Sequence, residues 1–228
     1  MLGIIGAMQV EIDSIVEKLI DKTETIVSGV HYFQGKFCGK DVLVACCGVG
    51  KVFSGVCAQT MILKFGVDSI LNIGVGGTLT DKLNICDLGI ATGVVQHDMD
   101  TSPLGDPLGL ISGINVIEFK CDEERCKIWQ QAAENLGINS QKGVIASGDC
   151  FVSSNEKKEF IKENFGAIVC EMEGGAIGQV CYINNIPFNV IRAVSDNADG
   201  SADMDFTQFT KKAVNQSIVL LEEYIKLS

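Results

Sequence analysis

A chain of 228 residues that is 46% hydrophobic has enough apolar material for one large core, and α/β folds of this size commonly form a single domain. Its formal net charge of −11 argues against a nucleic-acid partner, because an acidic surface repels phosphate backbones. The lack of an apolar run of about 18 residues argues against a membrane-spanning segment. We therefore expect one domain over residues 1–228.

The start of the chain and its cysteines indicate where the protein works. Residues 1–6 are apolar but no basic stretch precedes them, so they predict a first core strand and not a signal peptide. The ten cysteines are scattered, mostly inside apolar runs, which indicates reduced thiols of a cytoplasmic protein. Only His31 and His97 could supply imidazole and there is no Cys-x-x-Cys pair, so we expect no metal site.

The hydrophobic pattern predicts alternating strands and helices along the chain. Strands are predicted at residues 1–6, 25–27, 30–37, 42–46, 69–73, 85–95, 143–146, 167–170 and 188–194. Helices are predicted at residues 8–20, 52–65, 122–135, 155–164, 174–184 and 206–226. Because strands and helices alternate after residue 50, we predict a three-layer α/β fold in which helices flank a central mixed, largely parallel twisted sheet.

Two glycine runs, at residues 48–50 and 74–78, follow predicted strands. Neither matches the dinucleotide fingerprint, because Phe53 and Leu79 stand where its third glycine belongs. A P-loop is excluded too, since Ala45 occupies the position of its first glycine. We interpret both runs as tight turns that let a ligand approach the backbone closely, and we expect no cofactor.

Residues 97–113 are predicted to form a long loop that contains glycine and proline. Loops of this length inside a compact domain usually carry a function or an interface. The loop opens with His97-Asp98-Met99-Asp100, which could suggest a metal ligand set. Because no matching ligand cluster exists elsewhere, we interpret this run as ordering the loop or as part of the surface.

Carboxylates stand where two apolar runs end. Glu171 and Glu173 follow one predicted strand, and residues two apart in an extended segment point the same way. Asp196 follows another, which contains Arg192. Ligands of open α/β sheets bind beyond the strand ends, so two acidic strand tips favour a functional site over solvated surface acids.

Six motifs follow one another along the chain between residues 3 and 196. They are Gly3-Ile4-Ile5-Gly6-Ala7-Met8 with Glu11, Gly48-Val49-Gly50-Lys51, Asn72-Ile73-Gly74, Ser147-Gly148-Asp149-Cys150-Phe151, Glu171-Met172-Glu173 and Arg192-Ala193-Val194-Ser195-Asp196. In this order they resemble the 5′-methylthioadenosine/S-adenosylhomocysteine nucleosidases of the nucleoside phosphorylase superfamily. The resemblance implies hydrolysis of the N-glycosidic bond of these two nucleosides, and also of 5′-deoxyadenosine, in methionine salvage and recycling.

The resemblance also implies a role for each matching residue. Glu11 corresponds to the residue that activates a water to attack C1′ of the ribose, and Asp196 to the one that protonates N7 of the adenine. Glu173, the third catalytic residue, corresponds with Met172 to residues that hold the ribose hydroxyls. The other implied substrate contacts are Met8, Phe151 (stacking on adenine), Val152 (reading the adenine edge), Arg192, Ser195 and Phe206 (near the 5′ group).

These residue types suit the implied chemistry. Breaking an N-glycosidic bond develops positive charge on the ribose and negative charge on the purine. Carboxylates near the sugar stabilise the first charge, and a protonated acid near N7 relieves the second. Asp196 can act in this way only if burial or like-charged neighbours raise its pKa.

The family pattern also implies a homodimer, in which a neighbouring subunit lends its loop near residues 101–110 to the pocket.

Three departures of this sequence from the family pattern stand out. Val75 occupies a position usually held by serine, Gly174-Gly175 replaces small, less flexible residues, and the loop at 97–113 diverges after its first two residues. The first concerns how the water is positioned, and the last concerns the choice of 5′ group.

Two other functions are compatible with the same motifs. A phosphorolytic nucleoside phosphorylase would use phosphate in place of water, and phosphate prefers guanidinium partners. Arg125 and Arg192 are the only arginines, which favours hydrolysis. A catalytically weak nucleoside-binding protein would have lost an acid, whereas all three candidate acids are present.

Overall fold

The secondary structure of the computed structural model, which describes residues 1–228, follows the predicted alternation closely. The strands are β1 (Leu2–Gly6), β2 (Ile20–Val27), β3 (Val30–Phe37), β4 (Lys40–Cys46), β5 (Ser69–Thr78), β6 (Leu88–Gln96), β7 (Phe119–Lys120), β8 (Ser140–Ser147), β9 (Ala167–Glu171) and β10 (Phe188–Asp196). The helices are α1 (Gln9–Glu17), α2 (Lys51–Phe65), α3 (Glu123–Asn135), α4 (Asn155–Phe165), α5 (Gly174–Asn184) and α6 (Ala202–Leu227), with a 3₁₀ turn at Ser102–Leu104.

The ten strands form one sheet, and part of that sheet closes on itself. Strand β5 pairs with both β9 and β10, and β6 and β8 complete a ring of five strands. Strand β1 joins β5 to the meander of β4, β3 and β2. Closure leaves most strands of the ring buried on both faces, which explains their nearly continuous apolar sequences.

The α/β class and the mixed sheet are confirmed, but the expectation of a largely parallel sheet is corrected. Five of the ten strand pairings are parallel and five are antiparallel. Strands β9 and β10, which carry the acidic ends noted in the sequence, flank β5 and do not pair with each other. The antiparallel pairs of the ring arise from its closure, which consecutive strand–helix–strand units do not predict.

Helices cover the sheet on more than one side. Helix α6 packs against α1 and α3, α2 packs beside α5, and α4 lies against β8 and β9. Fifty buried residues form the main apolar core, in which Trp129 of α3 stacks on Tyr224 of α6 with ring centroids 3.8 Å apart. No helix is long and apolar enough to cross a membrane.

One predicted turn is instead part of a strand. The glycine run at residues 74–78 continues β5, and all ten residues of that strand are buried. Two glycines of this run lie against acidic side chains. An added Cβ would lie 2.6 Å from Glu11 Oε1 at Gly74 and 2.6 Å from Asp196 Oδ1 at Gly77. These glycines are therefore required to let two carboxylates reach the strand, and not to turn the chain.

Candidate active site

A cavity of about 290 Å³ opens where β1, β5, β9 and β10 end. Nine of the ten candidate site residues line it: Met8, Glu11, Phe151, Val152, Met172, Glu173, Ser195, Asp196 and Phe206. None of its lining residues is lysine, arginine or histidine, and ten of the seventeen are hydrophobic. The structure therefore gathers residues that are up to 198 positions apart into one acidic-lined, mainly apolar pocket (Met8 to Phe206).

Glu11 lies in the first turn of α1, directly beyond β1, and is almost fully buried. Its Oε2 atom accepts the backbone N–H groups of Ala7 at 2.7 Å and Met8 at 2.9 Å. Its Oε1 atom accepts the N–H of Val75 at 3.1 Å. Burial raises the pKa of this carboxyl, while the three amides and the charge of Arg192 act in the opposite direction.

The Val75 contact bears on the first departure from the family pattern. Because the bond to Glu11 uses the backbone amide, it does not depend on whether the side chain is valine or serine. The Val75 side chain lines the cavity and supplies no hydroxyl there. Glu11 is thus held by three main-chain donors that any residue other than proline would provide at these positions.

Glu173 begins α5 and faces the same cavity as Glu11. Its Oε1 atom accepts the N–H of Gly50 at 2.8 Å, and its Oε2 atom lies 3.8 Å from the Arg192 guanidinium. Burial, followed by the neighbouring Glu171 carboxylate, raises the pKa of Glu173 to about 7. A carboxyl with this pKa changes its charge near neutral pH, which suits a group that contacts a reacting sugar.

Glu171, which was not assigned a site role from the sequence, also borders the cavity, and its carboxylate is held by several partners in the cavity wall. It accepts hydrogen bonds from the Ser147 hydroxyl and the Arg192 guanidinium, and from the amides of Glu173 at 3.0 Å and Gly174 at 2.8 Å. With so many partners this carboxylate is fixed in place and orients the turn that presents Glu173. The signal was an arginine inside a buried strand, because a buried guanidinium requires a carboxylate partner.

The position of Arg192 corrects the expectation that it contacts substrate. Its side chain is fully buried and does not line the cavity, and its guanidinium binds Glu171 and Asn72. Arg192 reaches Glu173 only at 3.8 Å, from behind the pocket wall. It therefore acts on the site through the two glutamates, since both of its terminal nitrogens already have partners.

Asp196 ends β10 beside Gly77 of β5 and is buried. Its Oδ2 atom accepts the hydroxyl of Ser195 at 2.8 Å, and its Oδ1 atom accepts the N–H of Ala198 at 2.9 Å. Burial raises the pKa of Asp196 and the nearby carboxylates of Asp205 and Asp199 add to this rise, while the hydrogen bonds from Ser195 and Ala198 act in the opposite direction without cancelling it. Both conditions that a proton-donating role requires of this aspartate are thus present.

An aromatic pair, Phe151 and Phe206, lines the cavity. The rings of Phe151 and Phe206 meet edge to face, with centroids 5.6 Å apart. Phe151 follows β8 and is 47% exposed, whereas Val152 beside it is buried. A half-exposed ring at a pocket wall leaves one face free for a flat ligand to stack on.

The charges of the cavity are separated in a way that supports breaking a polar bond. The positive charge of Arg192, behind the wall, favours the ionised forms of Glu11 and Glu173. Asp196 instead has the acidic neighbours Asp205 and Asp199, which favour its protonated form. One part of the cavity can therefore stabilise a developing cation, and another can donate a proton.

Comparison with known proteins shows the family to which the chain belongs. The family model of the phosphorylase superfamily matches residues 1–226. The chain belongs to the phosphorylase superfamily. The resemblance noted in the sequence is thereby confirmed, and five of its six motifs contribute lining residues to the cavity.

Within the superfamily, the chain is similar to several named nucleosidases. It is 38% identical to the 5′-methylthioadenosine/S-adenosylhomocysteine nucleosidase of Staphylococcus haemolyticus, over 100% of both chains. It is 39% identical to an aminodeoxyfutalosine nucleosidase of Helicobacter pylori, over 98% of this chain and 97% of that one. A substituted Helicobacter pylori MTAN, solved with 5′-methylthioadenosine in its active site, superimposes with a TM-score of 0.95 at 38% identity, covering 99% of this chain and 97% of that one.

Proposed function

We propose that the chain hydrolyses the N-glycosidic bond of 5′-methylthioadenosine and S-adenosylhomocysteine, and also of 5′-deoxyadenosine, releasing adenine and the 5′-substituted ribose. The observation that carries the proposal is a single cavity in which Glu11 and Glu173 stand with a buried Asp196 whose pKa is raised. The reaction would serve methionine salvage and recycling, in the cytoplasm, by a single nucleosidase domain spanning residues 1–228.

Each acid has a distinct part in the proposed reaction. Glu11, held by three amides, accepts a proton from the attacking water as it adds to C1′. Glu173 with Met172 binds the ribose hydroxyls, and its negative charge stabilises the cationic sugar. Asp196 gives its proton to N7 of the leaving adenine, which departs as a neutral base.

The remaining pocket residues serve to bind the nucleoside. Phe151 stacks on the adenine, and the Val152 backbone reads the adenine edge. Ser195 orients Asp196 through its hydroxyl, Met8 lies beside the ribose, and Phe206 borders the 5′ group.

Phosphorolysis, the main rival reaction, is not supported by the lining of the cavity. A phosphate ion needs cationic or multiple N–H donors, and no lysine, arginine or histidine faces the cavity. The Arg192 guanidinium is already bound to Glu171 and Asn72. The backbone amides of Ala7, Met8 and Val75 donate to Glu11 and are not free to bind phosphate. The Glu11 carboxylate would also repel a phosphate ion.

Aminodeoxyfutalosine is a second candidate substrate. The nucleosidases named for it and for 5′-methylthioadenosine are about equally similar to this chain, at 39% and 38% identity. Steady-state adenine release from aminodeoxyfutalosine, measured beside the other nucleosides, tests this candidate.

We predict that kcat/KM for 5′-methylthioadenosine exceeds that for adenosine at least tenfold, a discrimination of only about 1.4 kcal/mol. Phe206 and Met8 give the pocket apolar walls, which gain about 0.8 kcal/mol per buried CH₂ and leave a 5′-hydroxyl without its water partners. Acidic residues at the proposed mouth, Asp106, Asp203 and Asp205, disfavour a carboxylate, so S-adenosylhomocysteine should be the slower of the two proposed substrates. Steady-state adenine release from each nucleoside measures this, and equal efficiency for adenosine would contradict the proposed pocket.

We also propose that the protein is a homodimer that buries an apolar helix face. Helices α2 and α5 pack side by side, and the solvent-facing side of this pair is rich in exposed apolar residues. They are Val52, Phe53, Val56, Leu63, Tyr182 and Ile183. On a chain with a net charge of −11 such a face indicates an interface, and an identical copy offers a matching apolar surface.

The loop that was predicted to enter a neighbour's pocket fits this arrangement. Leu104 is 84% exposed and does not line the cavity of its own chain, as expected if a partner's pocket receives it.

We predict that sedimentation shows a dimer at micromolar concentration and that Leu63→Glu shifts it toward monomer. Leu63 is 74% exposed in the monomer, so a glutamate there does not disturb the fold but places a charge in the apolar interface. Ile26→Glu is the matched control, because Ile26 is 58% exposed on edge strand β2, outside the helix face. A monomeric parent protein would contradict the proposed assembly.

A further inference from the structure

Lys51, the first residue of α2, connects three loops around the cavity without lining it. Its backbone N–H donates to Asp149 Oδ1 at 2.8 Å. Its Nζ donates to Asp98 Oδ1 at 2.7 Å and to Gln96 Oε1 at 3.2 Å. The ammonium and the Asp98 carboxylate are mostly shielded, with 19% and 26% of their side chains exposed, so their attraction is less screened than that of a surface pair.

A further hydrogen bond joins two of the residues that Lys51 contacts, Asp98 and Asp149. Asp98 Oδ2 accepts the backbone N–H of Asp149 at 2.9 Å, so Lys51, Asp98 and Asp149 each contact the other two. We call these three residues the Lys51 clamp. The clamp also accounts for the acidic run after His97, which orders the loop as predicted from the sequence.

Two of the clamped loops deliver groups to the proposed site. Gly50, directly before Lys51, donates its N–H to Glu173 Oε1 at 2.8 Å. Phe151 and Val152, directly after the loop that contains Asp149, line the cavity. A shift of the clamp would therefore move a Glu173 hydrogen bond and the aromatic wall together.

We propose that Lys51 is a positioning residue for the nucleosidase reaction: its ion pair with Asp98 fixes the Gly50 amide against Glu173 and fixes the loop that presents Phe151. This inference rests on the proposed function and extends it to a residue that does not touch the nucleoside. The charge-assisted bonds of the clamp are stronger than neutral ones, which suits a contact that must hold two loops.

Lys51→Met keeps an unbranched side chain of nearly the same length and removes its charge, so it tests the clamp. We expect kcat to fall about tenfold or more, because small displacements of positioned groups are costly. We expect KM to rise as the Phe151 loop loosens. Lys51→Arg should recover most of both parameters, because a guanidinium can still bridge to Asp98. Lys36→Met is the control, since Lys36 pairs with Asp41 on the exposed surface.

The pH profile separates this role from a merely structural one. Glu173 faces the charged or ionisable groups of Glu171, Arg192, Glu11 and Cys47 as well as the Gly50 amide. Because the Gly50 bond lowers the pKa of Glu173, losing it should move the acid limb of kcat to higher pH in Lys51→Met. Activity requiring ionised Glu173 is lost as the pH falls through that pKa, so a higher pKa means an earlier loss. An unshifted limb would overturn the proposal.

Amide hydrogen exchange tests the clamp without relying on activity. In Lys51→Met the Gly50 amide should exchange at least tenfold faster than in the parent, with core β5 amides such as that of Ile73 unchanged. If Lys51→Met does not fold, Asp98→Asn provides the same measurement with a milder change. Unchanged Gly50 exchange in the folded variant would overturn the proposal. If instead the parent protein releases no adenine while Gly50 exchange responds as expected, the proposed function fails and the clamp stands.

Discussion

Replacing Asp196 by asparagine is expected to lower kcat by about 10²–10⁴-fold while the protein still binds adenine-like ligands. The asparagine carbonyl can accept the Ala198 amide as Oδ1 does now, and the Ser195 hydroxyl can accept from the new NH₂ group. The substitution therefore preserves the hydrogen bonds of the site and removes only the proton that N7 requires. Steady-state kinetics with a binding measurement for adenine would show this split.

The pH dependence gives the same substitution a second readout. The proposed role requires the protonated form of Asp196, whose pKa is raised, so kcat of the parent should fall as the pH rises through that pKa. Asparagine does not titrate, so this alkaline limb should disappear from the residual activity. Asp81→Asn, an exposed change between β5 and β6 that is outside the cavity, is the control and should leave kcat within about twofold of the parent. Near-normal turnover by Asp196→Asn at neutral pH would refute the assignment.

Glu11→Gln is expected to cause a loss of the same size, about 10²–10⁴-fold in kcat, because an amide cannot accept a proton from the water. The structure adds a further effect. All three groups bound to Glu11 are N–H donors and they occupy both of its oxygens, so the NH₂ of glutamine must face a donor in either orientation. An unpaired buried donor costs about 1–3 kcal/mol, so this variant should also unfold at lower denaturant concentration.

Controls must separate the loss of stability in Glu11→Gln from its loss of catalytic rate. Circular dichroism and adenine binding at a temperature well below unfolding would show that the variant is folded when it is assayed. Glu17→Gln lies on the exposed side of the same helix and should change neither stability nor rate. A folded Glu11→Gln variant with parental kcat would show that another group activates the water.

Much of the fold was predictable because its strands are short apolar runs between clear helical patterns. The bounds predicted for β3 and α5 are the observed ones. Strand β2 was predicted only for its last three residues, since seven of its eight residues are exposed and it shows no buried face. Helix α1 ends at Glu17, earlier than predicted, because Leu19 is buried beyond the helix and Ile20 begins β2.

Sheet closure could not be predicted from local pattern. Whether β9 runs parallel or antiparallel to β5 depends on how the ring closes, which no single segment encodes. The glycines at the end of β5 read as a turn in the sequence because turns are their commonest use. Their reason for being there, room for Glu11 and Asp196, exists only in three dimensions.

The candidate site was predictable where residues contact the cavity and less so behind its wall. Nine candidate residues line the cavity, since each stands at or just beyond the end of a strand or at the start of a helix. Arg192 was expected among them because its motif ends in Asp196, but it lies mid-strand and pairs with Glu171. The raised pKa of Asp196 depends on burial and on acids brought close by folding. From the sequence, a raised pKa could be named only as a condition that the proposed role must meet.

The central claim, cleavage by water at a site built from Glu11, Glu173 and Asp196, is tested most directly by single-turnover cleavage of 5′-methylthioadenosine in ¹⁸O-labelled, phosphate-free water. We expect adenine release at full rate, one labelled oxygen at C1′ of the sugar product, and no acceleration when phosphate is added. Dependence of the rate on phosphate, with a ribose 1-phosphate product that carries no label at C1′, would contradict it.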